Sequence, residues 1–537
     1  MNARSALKVA FAVTILAWSG CSRCGKPTPA SGSGIERLLP RGAVAVLVVP
    51  NVQALGERLQ GLENLKVAGF SAQLNGFTDA HQWADAVVQQ LGIDLRSKAA
   101  LEKAGLDPSG SAAVVATLDG SVFLVLTVSD EAKVASVLQK LAGTRLGANV
   151  AEDRKDGELT VHAFVTVAGA APRLGYVKVK NFVLVGFDRS VLNLPVWARL
   201  SDVDSLATDT VSNASLQRLP KDRDLVIFLP PGSPALRGTI SSATASLSVR
   251  PEGLTLTADA PWTGDAKALE VLVKQPGSDL LGYLPDDAWG LARFSGDPTQ
   301  LAPWIQRFAP QLKRAFDEAR FPLDSELLAN LKPGCVAGLS LAPTARMGGM
   351  PELDLRSTNP FTYVHLTGIL EAKNPQQIQT TLDTLAGLAP RIGATMSKTD
   401  RQGHPVYFTT YSAGEGVHLA ARGPLVFFGS PAARIDALLK SDGKAQPVSN
   451  AALKGVLDSR ALSVAVDVQK LARAVRELPS AAWGIGGFAI KATAVRWLDA
   501  TDDLEAITLG FESRAGAVQG QLVLSLTPSG PPPKKVP

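Results

Sequence analysis

Cysteine, histidine and methionine are scarce in this chain: 3, 5 and 4 among 537 residues. Three cysteines cannot build a disulfide scaffold. Charged residues make up 19% against 46% hydrophobic, a balance that excludes a chain disordered throughout. Aromatic residues are 6%. No run of five like charges occurs, and 54 Lys+Arg stand against 49 Asp+Glu. Nucleic-acid binding needs basic residues gathered on one face, so nothing here points to a nucleic-acid partner. Lys534 and Lys535, after Pro531–Pro533, read as a solvated end. At roughly 150 residues per domain, the length allows about three or four domains and a large core.

The N-terminus carries Arg4 and Lys8, then an apolar run from Val9 to Trp18, then Ser19-Gly20-Cys21. A membrane-spanning helix needs about 20 apolar residues, and this run has about half of that. A basic flank, a short apolar stretch and small residues before a break describe a secretory signal. Small residues directly before Cys21 resemble the bacterial lipoprotein signal, which implies acylation of the Cys21 thiol and a lipid anchor in the membrane there. Trp18 departs from that pattern, since Leu is usual near the position. A plain cleaved signal or an uncleaved anchor, with Cys21 incidental, is the other reading. Residues 22–34 (Ser-Arg-Cys-Gly-Lys-Pro-Thr-Pro-Ala-Ser-Gly-Ser-Gly) have the composition of a flexible tether. By the same resemblance, Ser22 after the modified cysteine implies an outer-membrane address. Losing residues 1–20 would leave 52 basic against 49 acidic residues.

Catalytic and metal-binding signatures are missing. No Gly-x-Ser-x-Gly elbow occurs, nor His-x-x-x-His or His-Glu-x-x-His. His162, His365 and His418 fall in strand-like stretches and His404 in the turn Arg401–Pro405; no local signature marks these or His81 as part of a triad. Cys21 and Cys24 form a Cys-x-x-Cys pair without the βαβ setting of a redox motif. Cys335 reads as a small buried hydrophobe. Asp202-Val203-Asp204 opens like a calcium loop but lacks its third ligand and glycine. Asp286-Asp287 and Asp502-Asp503 are adjacent, so in a strand their side chains oppose each other. Gly484–Ala489 matches Gly-x-Gly-x-x-Ala, but a dinucleotide fingerprint needs a strand before and a helix after. Here a helix (468–478) is expected before it and a strand (490–497) after. No catalytic, metal-binding or cofactor-binding residue is therefore assigned, and no cofactor.

What the sequence does contain is a repeat. Leu38–Ala43 returns as Tyr283–Ala288, Leu106–Gly110 as Leu331–Gly334, and Leu138–Gly143 as Leu382–Gly387. Asn181–Gly186 returns as Gly423–Gly429, and Asn213–Leu216 as Asn450–Leu453. The order is conserved, with offsets of about 225 to 245 residues. The expected layout is a signal at 1–20, a tether at 21–35, modules at 36–262 and 279–528, a linker at 263–278 and a disordered tail at 529–537. Each module opens on a strand followed by helices. Trp83, Val87 and Leu91 recur every four residues, as do Trp304, Phe308, Leu312 and Phe316, with Pro310 starting a fresh helix. Hairpins follow, with turns at Pro251–Gly253 and Arg514–Gly516. Ser430-Pro431 reads as a helix cap. The fold class expected is α+β: mostly antiparallel sheet in two homologous modules, helices packed on one face.

The Leu-Pro-x-x-Ala openings, the hairpin at Gly403–Tyr407 and the strand-to-helix passage Leu425–Ala433 resemble an uncharacterised family of duplicated bacterial envelope lipoproteins. The resemblance implies a location and a layout, and it attaches no activity. The leading expectation is a tethered, non-catalytic protein that binds an envelope partner or supports an assembly. A carrier of lipid or another hydrophobic ligand is the alternative, and an interior void lined by Leu, Val and Phe would favour it. An enzyme with a dispersed site is a third class, which a buried His–carboxylate pair opening into a cleft would revive. The modules part company at Ala342–Pro360, an insertion carrying Met347 and Met350 that is either a disordered segment or a partner-binding loop.

Overall fold

The computed structural model describes residues 34–527, apart from 235, 237, 309, 319, 343–363, 390–394, 412–413, 446–447, 449–450 and 479–486. Cys21, Cys24, the expected signal at 1–20 and the expected tail at 529–537 lie outside the described residues, as does all of the 342–360 insertion except Ala342. The chain divides into two compact units between Thr263 and Gly264. Both are α+β.

The first unit begins with a 3-10 turn, Ile35–Leu38, and the strand β1, Ala43–Val49. Four helices follow: α1 (Val52–Leu59), α2 (Lys66–Leu74), α3 (Ala80–Leu91) and α4 (Lys98–Lys103). Then come β2 (Ala112–Thr117), β3 (Val122–Thr127), α5 (Glu131–Leu146) and a meander of β4 (Val150–Asp156), β5 (Leu159–Val165), β6 (Leu174–Val179) and β7 (Phe182–Phe187). The helices α6 (Ser190–Ala198) and α7 (Thr210–Arg218) lead to β8 (Leu225–Leu229), β9 (Ala243–Arg250) and β10 (Gly253–Pro261). All pairings are antiparallel, in the order β4-β5-β6-β7-β3-β2-β1-β8-β9-β10.

The second unit has β11 (Gly290–Phe294), α8 (Ala302–Phe308), α9 (Pro310–Glu318), β12 (Cys335–Leu341), β13 (Val364–Glu371) and α10 (Pro375–Leu388). It continues with β14 (Met396–Arg401), β15 (His404–Tyr411), β16 (Gly414–Arg422), β17 (Leu425–Ser430), α11 (Ala432–Lys440), α12 (Ala451–Ser459) and β18 (Leu462–Asp467). Two further helices, α13 (Val468–Glu477) and α14 (Gly487–Ala500), precede β19 (Leu504–Arg514) and β20 (Ala517–Leu526). Its order is β14-β15-β16-β17-β13-β12-β11-β18-β19-β20, again antiparallel in every described register, the same path position by position. The openings also match in detail. Leu39 and Leu284 are fully buried, and the Ala43 and Ala288 amides donate to the carbonyls of Pro40 and Pro285 at 3.2 and 3.0 Å. The bridges Leu106–Val128 and Leu331–Ala372 occupy equivalent places. The β19–β20 turn places Ala515 and Gly516 at φ 50° and 73°, the left-handed pair that a two-residue hairpin requires.

Helices lie against both faces of the first sheet, not one. The strands alternate between two apolar sets: Val46, Val48, Phe123, Val125, Leu184 and Phe228 pack with Val191, Leu194 and Trp197 of α6. Val183 and Val185 pack on the opposite side with Val134 and Leu138 of α5. A strand apolar on both sides must be covered on both sides. The folded body also starts earlier than the expected 36, because Ile35 is fully buried in the first core. Residues 264–278 do not run free as a linker: Lys267–Glu270 forms a helical turn, and Leu269, Val271 and Leu272 are buried in the second unit. Three apolar residues in so short a stretch need cover. Residues 490–497, expected as a strand, are helical within α14, where Ala494 and Leu498, four apart, pack with Leu471 and Val475 of α13. Ser430 is the last residue of β17 and caps nothing; α11 starts at Ala432 with no side-chain cap.

Candidate functional site

Between the sheet of the first unit and its helices lies a partly enclosed cavity of about 270 Å³. Its floor is the half-buried face of the central strands. Leu47, Val114, Leu124 and Val185 sit side by side across β1, β2, β3 and β7, as the registers Leu47–Val114, Val114–Leu124 and Leu124–Val185 require. A second row runs Val49, Ala112, Leu126, and the small Ala112 leaves a dip between two larger neighbours. The roof is Val52, Leu55 and Leu59 of α1, Ala84, Val87 and Val88 of α3, and Val137, Leu138 and Leu141 of α5. Almost all of the exposed lining is apolar.

The roof is held by polar clasps. Asn51 caps α1 by accepting the Ala54 amide at 2.8 Å, and Asp79 and Asp130 cap α3 and α5 in the same way. The far end of α1 is tied to the sheet by Arg58, which bonds the buried Asp224 at the start of β8. Asp224 also accepts the Val249 amide at 2.7 Å and Arg250 Nη1 at 3.0 Å. The loop after α3 is pinned by Arg96. Its Nε donates to Asp94 at 2.9 Å, Nη1 to Glu63 at 3.0 Å and Nη2 to Asp85 at 3.0 Å. Burial pushes the Asp94 carboxyl up, but the bonds from Arg96 outweigh it and hold Asp94 below the usual carboxylate range. The same bonds, Asp94 first, raise the Arg96 guanidinium further above its ordinary value.

Gly56 lets this loop reach α1. A Cβ there would lie 2.4 Å from the Leu95 carbonyl oxygen, a backbone atom that cannot rotate away. Gly56→Ala should therefore lose about 1–2 kcal/mol in a urea melt, despite the better helix propensity of alanine. An unchanged or raised midpoint would show that the loop gives way freely.

The histidines do not assemble a catalytic group with these residues. His81 Nδ1 lies 2.6 Å from Glu63, the carboxylate that also holds Arg96, and its side chain is 58% exposed. His162 pairs with Asp153 at 2.7 Å and stacks on Tyr176. His365 lies 3.3 Å from Arg434, and burial together with that positive charge lowers its pKa. His404 opens β15, so the turn is confined to Gln402-Gly403. His418 is buried in β16 and stacks on Phe408. Asp287 accepts two bonds from Arg434, at 3.0 and 2.7 Å, and one from Ser340, at 3.0 Å. Burial raises the thiol of Cys335 to about 11, so it is protonated at neutral pH and a poor nucleophile. Among the described residues no group of three or more His, Cys, Asp or Glu is placed to hold a metal ion. Gly484–Gly486 lie outside the described residues, and the helix α14 follows them where a strand was expected. Among the described residues the element before is the helix α13, as expected, and no strand leads into these glycines there.

The cavity was not located by sequence motifs. Its signal was the near-continuous apolar runs of β1, β3 and β7, which mark strands covered on two faces.

No family model matches the sequence, and no curated protein does. Among solved structures, three crystal forms of TP0453 align with part of the chain. Form III is 11% identical over 43% of this chain and 80% of that one, with a TM-score of 0.21. Forms IV and I are 9% and 11% identical, cover 42% and 45% of this chain and 79% and 81% of theirs, and both have a TM-score of 0.22. At these scores the likeness carries no argument about fold or function.

Proposed function

We propose that the protein is a non-catalytic, membrane-tethered envelope lipoprotein that binds an apolar ligand in its first unit. The cavity carries this reading. An apolar space of about 270 Å³ forgoes packing that a filled core would supply, at up to about 24 cal/mol for each Å³ from which water is excluded. Apolar cavities of about 150 Å³ already stay dry and take up benzene. A ligand that fills the space offsets that cost, and the clasps at Arg58 and Arg96 keep the roof from collapsing onto the floor. The carrier reading of the sequence thereby gains over a purely structural role. Its test is a titration of the purified protein with N-phenyl-1-naphthylamine, a neutral dye that brightens in apolar surroundings. Saturable binding that is lost when the cavity is filled supports it.

The tether belongs to the same proposal and rests on Ser19-Gly20-Cys21 and the polar stretch after it. No helix among the described residues is long and apolar enough to cross a membrane. Cys21→Ser should move the protein from the membrane pellet to the soluble fraction. A mutant that is processed and still pellets like the wild type would remove the lipid anchor from the proposal.

A further inference from the structure

Resting on the apolar-ligand reading, we infer that the ligand is a single unbranched hydrocarbon chain of an amphiphile, held by its chain alone with the headgroup left outside. Three observations lead there. The volume, about 270 Å³, lies at the lower edge of small-molecule pockets, which suits one chain and not two. The walls offer rows of Leu and Val with no aromatic stack to select a ring system; Phe187 stands alone among the lining residues.

The third observation concerns the polar groups that reach the lining, which are already engaged. Each guanidinium nitrogen of Arg96 donates to a carboxylate. Asp107 accepts from the Ser109 amide at 2.9 Å and its hydroxyl at 2.8 Å. Thr127 Oγ1 donates to the Ser111 carbonyl at 2.8 Å and accepts the Ser111 amide at 3.1 Å. A headgroup entering the cavity would compete with these bonds for the same groups. Around Arg96 three carboxylates face one guanidinium, so an anionic headgroup gains no net attraction there. Recognition is left to the methylenes.

The test uses the full-length protein with bound N-phenyl-1-naphthylamine, displaced by primary alcohols, carboxylates and trimethylammonium salts of eight to about fourteen carbons, below their aggregation limits. Affinity should rise about fourfold per added methylene until the cavity is full, then level off. At equal chain length, in about 0.15 M salt that screens the net negative Arg96 cluster beyond about 8 Å, the three headgroups should agree within about threefold. A second arm offers phosphatidylethanolamine vesicles, and separates a chain drawn from a two-chain lipid from one belonging to a free single-chain amphiphile. Displacement by the single chains alone is the expected result, and displacement only by vesicles would overturn the single-chain assignment. A headgroup spread beyond threefold, or affinity flat with chain length, would overturn the inference and leave the apolar-ligand reading standing. If the dye itself fails to bind, both fall.

Discussion

Replacing Arg218 with methionine should destabilise the first unit by about 3–5 kcal/mol. Arg218, at the end of α7, donates from Nε and Nη2 to the two carboxylate oxygens of Asp259 at 2.8 and 2.6 Å. Asp259 lies on β10 and has no solvent exposure. The fork-to-fork geometry is the strong form of this pair, and the hydrogen bonds to Asp259 raise the Arg218 pKa. Methionine fills a similar volume but removes the charge, so a buried carboxylate keeps its desolvation penalty and loses its bidentate cation. The deficit should narrow on acidification, because a protonated carboxyl is cheaper to bury than an ionised one. Hydrogen exchange of β9–β10 peptides across a urea series reads the unit concerned. The double change Arg218→Met with Asp259→Leu should recover most of the loss. A single variant within about 1 kcal/mol of wild type would show the pair to be solvent-screened despite its burial.

Most of the sheet could be read from the chain, and the reason is local. Hairpins such as β9–β10 and β19–β20 combine two-residue periodicity with turn residues placed where a positive φ is needed, so neighbours in sequence become neighbours in space. The repeat of five segments fixed which strands correspond, and the two units follow the same strand order. Pro310 is legible in the same local way: it is expected to start a fresh helix, and α9 begins there. The strand expected at 490–497 failed because Ile490, Ala492 and Ala494 alternate by chance; the four-residue spacing of Ala494 and Leu498 against α13 decided the outcome. The cavity was the least legible feature. It arises from residues that are unremarkable singly: Ala112 and Ala84, small where their neighbours are large, and Gly56, which admits the Arg96 loop. These lie on β2, α3 and α1, and only long-range packing brings them together. The apolar runs of β1, β3 and β7 carry a signal of cover on both sides, although helices were expected on one face only. They could not say that the cover stands off the floor.

That stand-off makes the cavity testable from both of its walls. Ala112 projects from the floor between Val49 and Leu126, and Ala84 projects from α3 in the roof. A phenylalanine at either position would occupy space now empty, with an aromatic side chain that suits a strand at 112. Ala112→Phe should weaken N-phenyl-1-naphthylamine binding by tenfold or more. Its thermal midpoint should hold or rise, since filling a void recovers up to about 24 cal/mol for each Å³ removed. Ala84→Phe, approaching from the other side, should do the same. That pairing separates loss of space from a local disturbance of β2. Leu192→Ser is the control: Leu192 is 62% exposed on α6, the helix that covers the opposite face of the sheet, so it should leave binding unchanged while removing surface hydrophobicity. If both fillings fold with full dye affinity and Leu192→Ser abolishes it, the dye is reporting the exterior of α6, and the cavity is an unoccupied gap of the fold with no ligand of its own.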